Sequence, residues 1–159
     1  MKGKRVAESR TTMTEVVLPN DANIHGNILG GKVMHLMDMA GAIAAFRHCR
    51  KPVVTVLVDS VSFLHPIRIG DLILLEAAVS RAFTTSMEVE VEVFSEQPLT
   101  GYKTKTSTAF LTFVALDSQG KPARVPPIIP VSEQDKQRYE QAASRRRRRL
   151  QTAGRTGST

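Results

Sequence analysis

Two places in this chain put polar chemistry where the surrounding residues do not require it. The first is Asp21-Ala-Asn-Ile-His-Gly-Asn-Ile-Leu-Gly-Gly31, which ends in adjacent glycines at an expected helix start. Glycine lets a ligand approach the backbone closely, and the unpaired N–H groups of a helix start favour negative charge. Gly30 and Gly31 therefore suit an oxyanion or a polarised carbonyl oxygen. The other reading is a tight turn whose glycines serve packing alone. The second place is Asp38, in mid-helix between Met37 and Met39, where a carboxylate is costly unless paired, hydrated or used. Its other reading is a narrow polar stripe with His35, three residues earlier on the same side.

Other reactive residue types lack partners at a useful spacing. His25, His35, His48 and His65 show none of the compact spacings of a zinc site, so no metal is expected. There is no Gly-x-Ser-x-Gly elbow. Ser60, Ser62 and Ser86 have no base beside them and read as hydrogen-bonding or structural residues. Cys49 is the only cysteine, so no intrachain disulfide can form and a reducing, cytoplasmic setting is the expectation.

These residues must be positioned by a small set of elements. Thr11 to Leu18 is β-prone and stops at Pro19-Asn20-Asp21. A loop then feeds a helix expected over about Gly31 to His48, apolar nearly all round and so buried on most sides. Val53 to Phe63, Asp71 to Ala82, Met87 to Val93 and Gly101 to Leu116 read as strands. The third alternates Met-Glu-Val-Glu-Val-Glu-Val, which implies one wet face. Pro122, Pro126, Pro127 and Pro130 suggest an extended strap, after which Ser132 could cap a last helix. One buried helix with mostly antiparallel strands is α+β, a curved sheet wrapping a helix.

Within a subunit, Asn27 and Asp38 should not meet. From Gly30 to Asp38 alone the helix climbs about 12 Å at ~1.5 Å per residue. Two antiparallel copies of the helix would bring Asn27 of one subunit near Asp38 of the other, which predicts a homodimer with interfacial sites.

The length of 159 residues suits one domain with tails, and no apolar run is long enough for a membrane span. No secretory signal pattern opens the chain. Of the formal charge of +7, five belong to the run Arg145 to Arg149, leaving +2 for everything else. Such a run reads as a solvated or disordered appendage, and with 5% aromatics and no Trp there is no base-stacking platform. Neither nucleic acid nor membrane is expected as a partner.

In order along the chain, Asp21-Ala-Asn, Gly26-Asn27-Ile-Leu-Gly30-Gly31, Met37-Asp38, Arg47-His48-Cys49, Val53-Val-Thr55, Val58-Asp-Ser-Val-Ser-Phe-Leu64, Pro66-Ile-Arg-Ile-Gly-Asp71, Thr85-Ser-Met-Glu-Val89 and Gly120-Lys-Pro122 stand at distinctive places. Together they resemble the signature of the acyl-CoA hydrolases that include the brain-type enzymes and their bacterial relatives, over about residues 11 to 140. The resemblance implies a hot-dog fold, dimers that often assemble as trimers of dimers, and composite sites that map to Asn27 and Asp38. Some bacterial members carry Asp where this chain has Asn27, so a mechanism that relies on a carboxylate there does not carry over. The corresponding layout is a flexible N-terminus at 1–10, a hot-dog domain at 11–120, a Pro-rich strap and helix at 121–144 and a basic disordered tail at 145–159.

The implied activity is hydrolysis of fatty acyl-CoA to fatty acid and CoA without a cofactor. Gly30 and Gly31 would stabilise the oxyanion, Asp38 of the partner would activate water, and Asn27 would orient water or carbonyl. Direct attack by Asp38 through an anhydride is the competing route. Arg68, Lys121 and Arg124 are candidates for the CoA phosphates, with Ser60 and Ser86 as further substrate contacts. One rival is a hot-dog enoyl-CoA hydratase or dehydratase; its Asp-x4-His pattern is one residue longer than Asp21-x3-His25. The other is a non-catalytic acyl-CoA-binding protein.

Overall fold

The computed structural model describes the backbone of residues 1–156 and the side chains of residues 1–154. Its central helix, α1 (Gly30–Cys49), starts from an extended Leu29 with no side-chain cap. It stops where Arg50 turns left-handed at φ 52° and donates its N–H to Phe46 O, and Pro52 two residues later opposes helical continuation. Val33, Leu36, Met37, Ala40, Ala44 and Ala45 are buried on it. Gly41 allows the closest approach: a Cβ there would lie 3.1 Å from the Phe113 ring.

Around α1 curves a five-stranded sheet built from β2 (Thr11–Val16), β3 (Val53–Phe63), β4 (Leu72–Ala82), β5 (Ser86–Glu96) and β6 (Lys103–Ala115). All neighbours are antiparallel, in the order β2-β4-β5-β6-β3. Alternation puts Val89, Val91, Val93, Ala109, Leu111 and Phe113 into one core with the helix. This is the wrapped-helix architecture expected from the sequence, and the four strands after α1 lie within a few residues of their expected bounds.

Three expectations are corrected. The opposite face of β5 is not wet: α2 (Glu133–Thr156) lies across it. Arg145 donates twice to Glu88, at 2.7 and 2.9 Å, and Arg138 reaches Glu90 at 3.0 Å and Glu92 at 3.1 Å. Glu88 is only 1% exposed, which a carboxylate tolerates when paired and hydrogen-bonded; Ser80 supplies a further bond at 2.7 Å. Burial outweighs Arg138 at Glu90 and pushes its carboxyl upward.

The arginine run, expected as a disordered tail, is therefore mostly the docking face of a helix. Arg145 lies 3.6 Å over Phe110, Arg146 4.3 Å over Phe83, and Arg149 reaches Asp59 at 3.4 Å. Residues 157–159 of that expected tail lie outside the described residues. At the helix start Ser132 Oγ accepts the Asp135 N–H at 3.0 Å, the cap read from sequence.

Nor is the N-terminus flexible. β1 (Lys4–Arg5) pairs in parallel with β7 (Ile128–Ile129) of the strap, and Val6 and Ser9 are buried. Ser9 Oγ accepts the Val79 N–H at 2.9 Å, a bond that draws the segment into the sheet.

Candidate active site

The loop before α1 is folded by its own polar groups. Asn23 N–H donates to Asn27 O at 2.8 Å, while Asn23 Oδ1 accepts the N–H groups of His25 at 2.9 Å and Asn27 at 3.2 Å. This is the Asx behaviour that makes asparagine a loop residue, and it fixes the amide plane with its Nδ2 end unengaged among the described residues. Ile28 N–H to Ile67 O at 2.7 Å and Ile69 N–H to Gly26 O at 3.0 Å tie the loop to the segment after β3.

At the helix start, Lys32 and Val33 donate to Leu29 O, whereas the N–H groups of Gly30 and Gly31 take no acceptor among the described residues. A Cβ on Gly31 would meet nothing within 4 Å, so glycine here keeps the approach open instead of relieving a clash. Gly30, though not Gly31, lines a cleft of about 410 Å³ together with Asn23, Asn27, Val33, Phe63 and Ser107, among others. Ser107 is 2% exposed and its Oγ has no partner among the described residues.

Asp38 does not line this cleft. It sits two turns along the helix, where Thr55 Oγ1 of β3 donates to Asp38 Oδ1 at 2.6 Å. One subunit thus holds two separate groups: a donor cradle of Gly30, Gly31 and the Asn23/Asn27 loop, and a carboxylate oriented by a hydroxyl. A cradle of donors stabilises developing negative charge, and a carboxylate can take a proton from water. Cys49 is no competing nucleophile, since burial pushes its thiol up.

Sequence reasoning gave no role to Thr55, present only in the motif Val53-Val-Thr55, and it likewise used Asn23 only as a motif residue. The remaining candidates scatter. Arg124 lines a basin beside the β4–β5 turn, and Ser86 nearby accepts from Arg146 at 3.4 Å. Arg68 is bridged to Asn27 at the other end of the molecule. Lys121 belongs to the turn closed by Asp117, and Ser60, at φ 55°, lines a third basin with Arg148 and Arg149.

Comparison with known proteins gives one consistent answer. Residues 25–102 match the family model described as thioesterase superfamily. The chain is 44% identical over 138 residues to the uncharacterized acyl-CoA thioester hydrolase YkhA of Bacillus subtilis (strain 168), covering 87% of this chain and 80% of that relative. An apo-hexameric acyl-CoA thioesterase superposes with a TM-score of 0.93 at 42% identity, over 96% of this chain and 98% of the other. The acyl-CoA hydrolase of Staphylococcus aureus, solved with butyryl coenzyme A, coenzyme A and coenzyme A disulfide, gives 0.90 at 37% identity, over 97% and 94%. That hydrolase has also been solved with an Asn, an Asp and a Thr each replaced by Ala.

Proposed function

Because this chain belongs to the acyl-CoA thioester hydrolases of the thioesterase superfamily, we propose that it cleaves fatty acyl-CoA to fatty acid and CoA at centres each shared by two copies of the chain. The observation that carries this reading is the separation, within one subunit, of the donor cradle from Asp38. Antiparallel packing of two α1 helices would set the cradle of one against the Asp38–Thr55 pair of its partner. The edge strand β3 supports that pairing, since Val54, Val56 and Val58 are 43%, 55% and 40% exposed on an unpaired edge. Three such dimers would make the hexameric form of the similar enzymes.

In this mechanism the Gly30 and Gly31 N–H groups hold the thioester carbonyl oxygen. The partner's Asp38, steered by Thr55, takes a proton from water as the water oxygen attacks the carbonyl carbon. The tetrahedral oxyanion collapses, the C–S bond breaks, and the leaving sulfur receives the proton from Asp38. No cofactor enters. Asn23 takes the role that the sequence reading gave to Asn27. Its amide is pinned by two N–H groups, and Asn23, Asp38 and Thr55 are separated by the same intervals as the three residues varied in the Staphylococcus aureus enzyme. A cytoplasmic location is part of the proposal and rests on the single, buried Cys49.

The test is thiol release from acyl-CoA by mixed subunits. Asn23→Ala and Asp38→Ala should each lose on the order of 10²-fold or more in kcat. After the two are mixed and allowed to exchange, activity should return to about a quarter of wild type, because each hybrid dimer rebuilds one undamaged centre. Hybrid dimers that form and remain inert would overturn the shared centre.

A further inference from the structure

Among the described residues, Ser107 Oγ and His48 Nδ1 are the buried side-chain oxygen or nitrogen atoms left without a hydrogen-bond partner. Comparable buried hydroxyls are bonded. Ser9 Oγ donates to Val6 O at 2.8 Å, Ser80 Oγ to Glu88 Oε1 at 2.7 Å, and Thr106 Oγ1, one residue before Ser107, to Val93 O at 3.2 Å. Ser107 stands on β6 at the start of an inward row whose next members are Ala109, Leu111 and Phe113, all within the core against α1. An alanine would continue that row, and an unpaired hydroxyl in its place costs stability.

That hydroxyl lines the cleft at the start of α1. The mouth is formed by exposed residues, Asn23, Gly30 and Phe63 with Leu64 and His65. The floor is formed by Val33 and Ile67, each 2% exposed, with Ser107 equally buried. Thr106 also lines the cleft, but its hydroxyl is committed to Val93 O. A pocket with apolar walls and one placed polar group orients its ligand by that group. Gly30 and Val33 are one helical turn apart, about 5 Å, so a carbonyl held at the Gly30 N–H places the next few carbons of its acyl chain over the floor.

We infer that Ser107 is a specificity residue that reads an oxygen on the third carbon of the acyl chain, so that the preferred substrates are 3-hydroxyacyl- or 3-oxoacyl-CoA thioesters; this rests on the thioesterase reading above. A serine hydroxyl donates to a keto oxygen, and either donates to or accepts from a hydroxyl. The second carbon is attached directly to the carbonyl and stays beside the Gly30 amide, whereas the third is the first whose substituent reaches across the turn. An unsubstituted chain leaves the Ser107 hydroxyl unpaired as it fills the cleft and shuts out water, and that loss separates the two classes of substrate. The apolar walls, Val33, Ile67 and Ile28, receive either chain. Discrimination therefore belongs to one atom.

The experiment measures thiol release from a saturated acyl-CoA, at the chain length that wild type hydrolyses best, and from its 3-oxo counterpart and both enantiomers of its 3-hydroxy counterpart. Wild type is compared with Ser107→Ala and with Ser107→Thr, which keeps the hydroxyl. The ratio of kcat/KM values, oxygenated over unsubstituted, cancels differences in folded enzyme. It should reach about tenfold or more in wild type for at least one oxygenated chain, fall toward one in Ser107→Ala and be largely kept in Ser107→Thr. A ratio unmoved in Ser107→Ala overturns the inference. So does an equal loss on every thioester, the mark of a hydroxyl that serves the carbonyl or the pantetheine arm common to them all. Wild type that cleaves all the thioesters equally well sinks the role of Ser107 alone; wild type that cleaves none sinks the thioesterase reading with it.

Discussion

Asn23 and Asn27 share one loop and one cleft and are bonded to each other through the backbone, yet they are not equivalent. The Asn23 amide plane is fixed by two N–H groups, while the Asn27 contribution to the loop is made by its main chain. We expect Asn23→Ala to lower kcat on the order of 10²-fold, and Asn27→Ala to lower it by less than about tenfold, since it removes no pinned donor. Steady-state thiol release on both variants checks the order, and a reversed order would return the role to Asn27. Asp38 was legible in the sequence because a carboxylate breaks an apolar helix. Thr55 was not, because a hydroxyl in a strand declares itself only when the chain brings it to an acid 17 residues away.

At the scale of elements, α1 and the sheet strands could be read because their periodicities are local, and α2 against β5 could not. A run of arginines and an alternating row of glutamates each look solvated when taken separately; packed face to face, they neutralise one another. The pair at the centre is buried, with Arg145 12% and Glu88 1% exposed, so breaking it leaves a stranded charge. Arg145→Ala should destabilise the fold by about 3–5 kcal/mol, whereas replacing both partners by apolar residues of similar volume should restore most of that loss. Denaturant midpoints of the single and double variants measure the difference. A single variant within about 0.5 kcal/mol of wild type would mean that the helix does not dock as described.

Over the whole molecule, the proposed centre depends on the β3 edge, an apolar strip left uncovered within one chain. Val56→Lys places a charge on that edge and should convert the oligomer to monomers in light scattering, with kcat falling as far as in Asp38→Ala. A monomer that keeps its activity contradicts a shared centre. The opposite end of α1 carries a pH dependence. His48 is fully buried and donates from Nε2 to Pro126 O at 2.6 Å, with Nδ1 unpartnered among the described residues. Burial, reinforced by Lys4, lowers its pKa despite the Pro126 bond and Glu8.

A histidine held neutral in the fold binds fewer protons than the same residue unfolded. Stability from this source is therefore intact above the unfolded value and is lost as pH falls below about 6.5. Urea midpoints between about pH 7 and pH 5 should fall, and His48→Gln should flatten that slope. An identical slope in the variant would assign the acid sensitivity elsewhere.

The parallel pairing of β1 with β7 also sets an order on how this protein can be completed. Lys4 is registered with Ile128, and its ammonium caps the last carbonyls of α1 by bonding Arg47 O and His48 O at 2.9 Å. Lys4 and Arg5 must wait for Ile128 and Ile129 to be made, so their segment stays unmated while the strands of the sheet are being synthesised. A contact so distant in the chain carries a large loop-closure cost, which is smaller once the sheet has brought the flanking segments together.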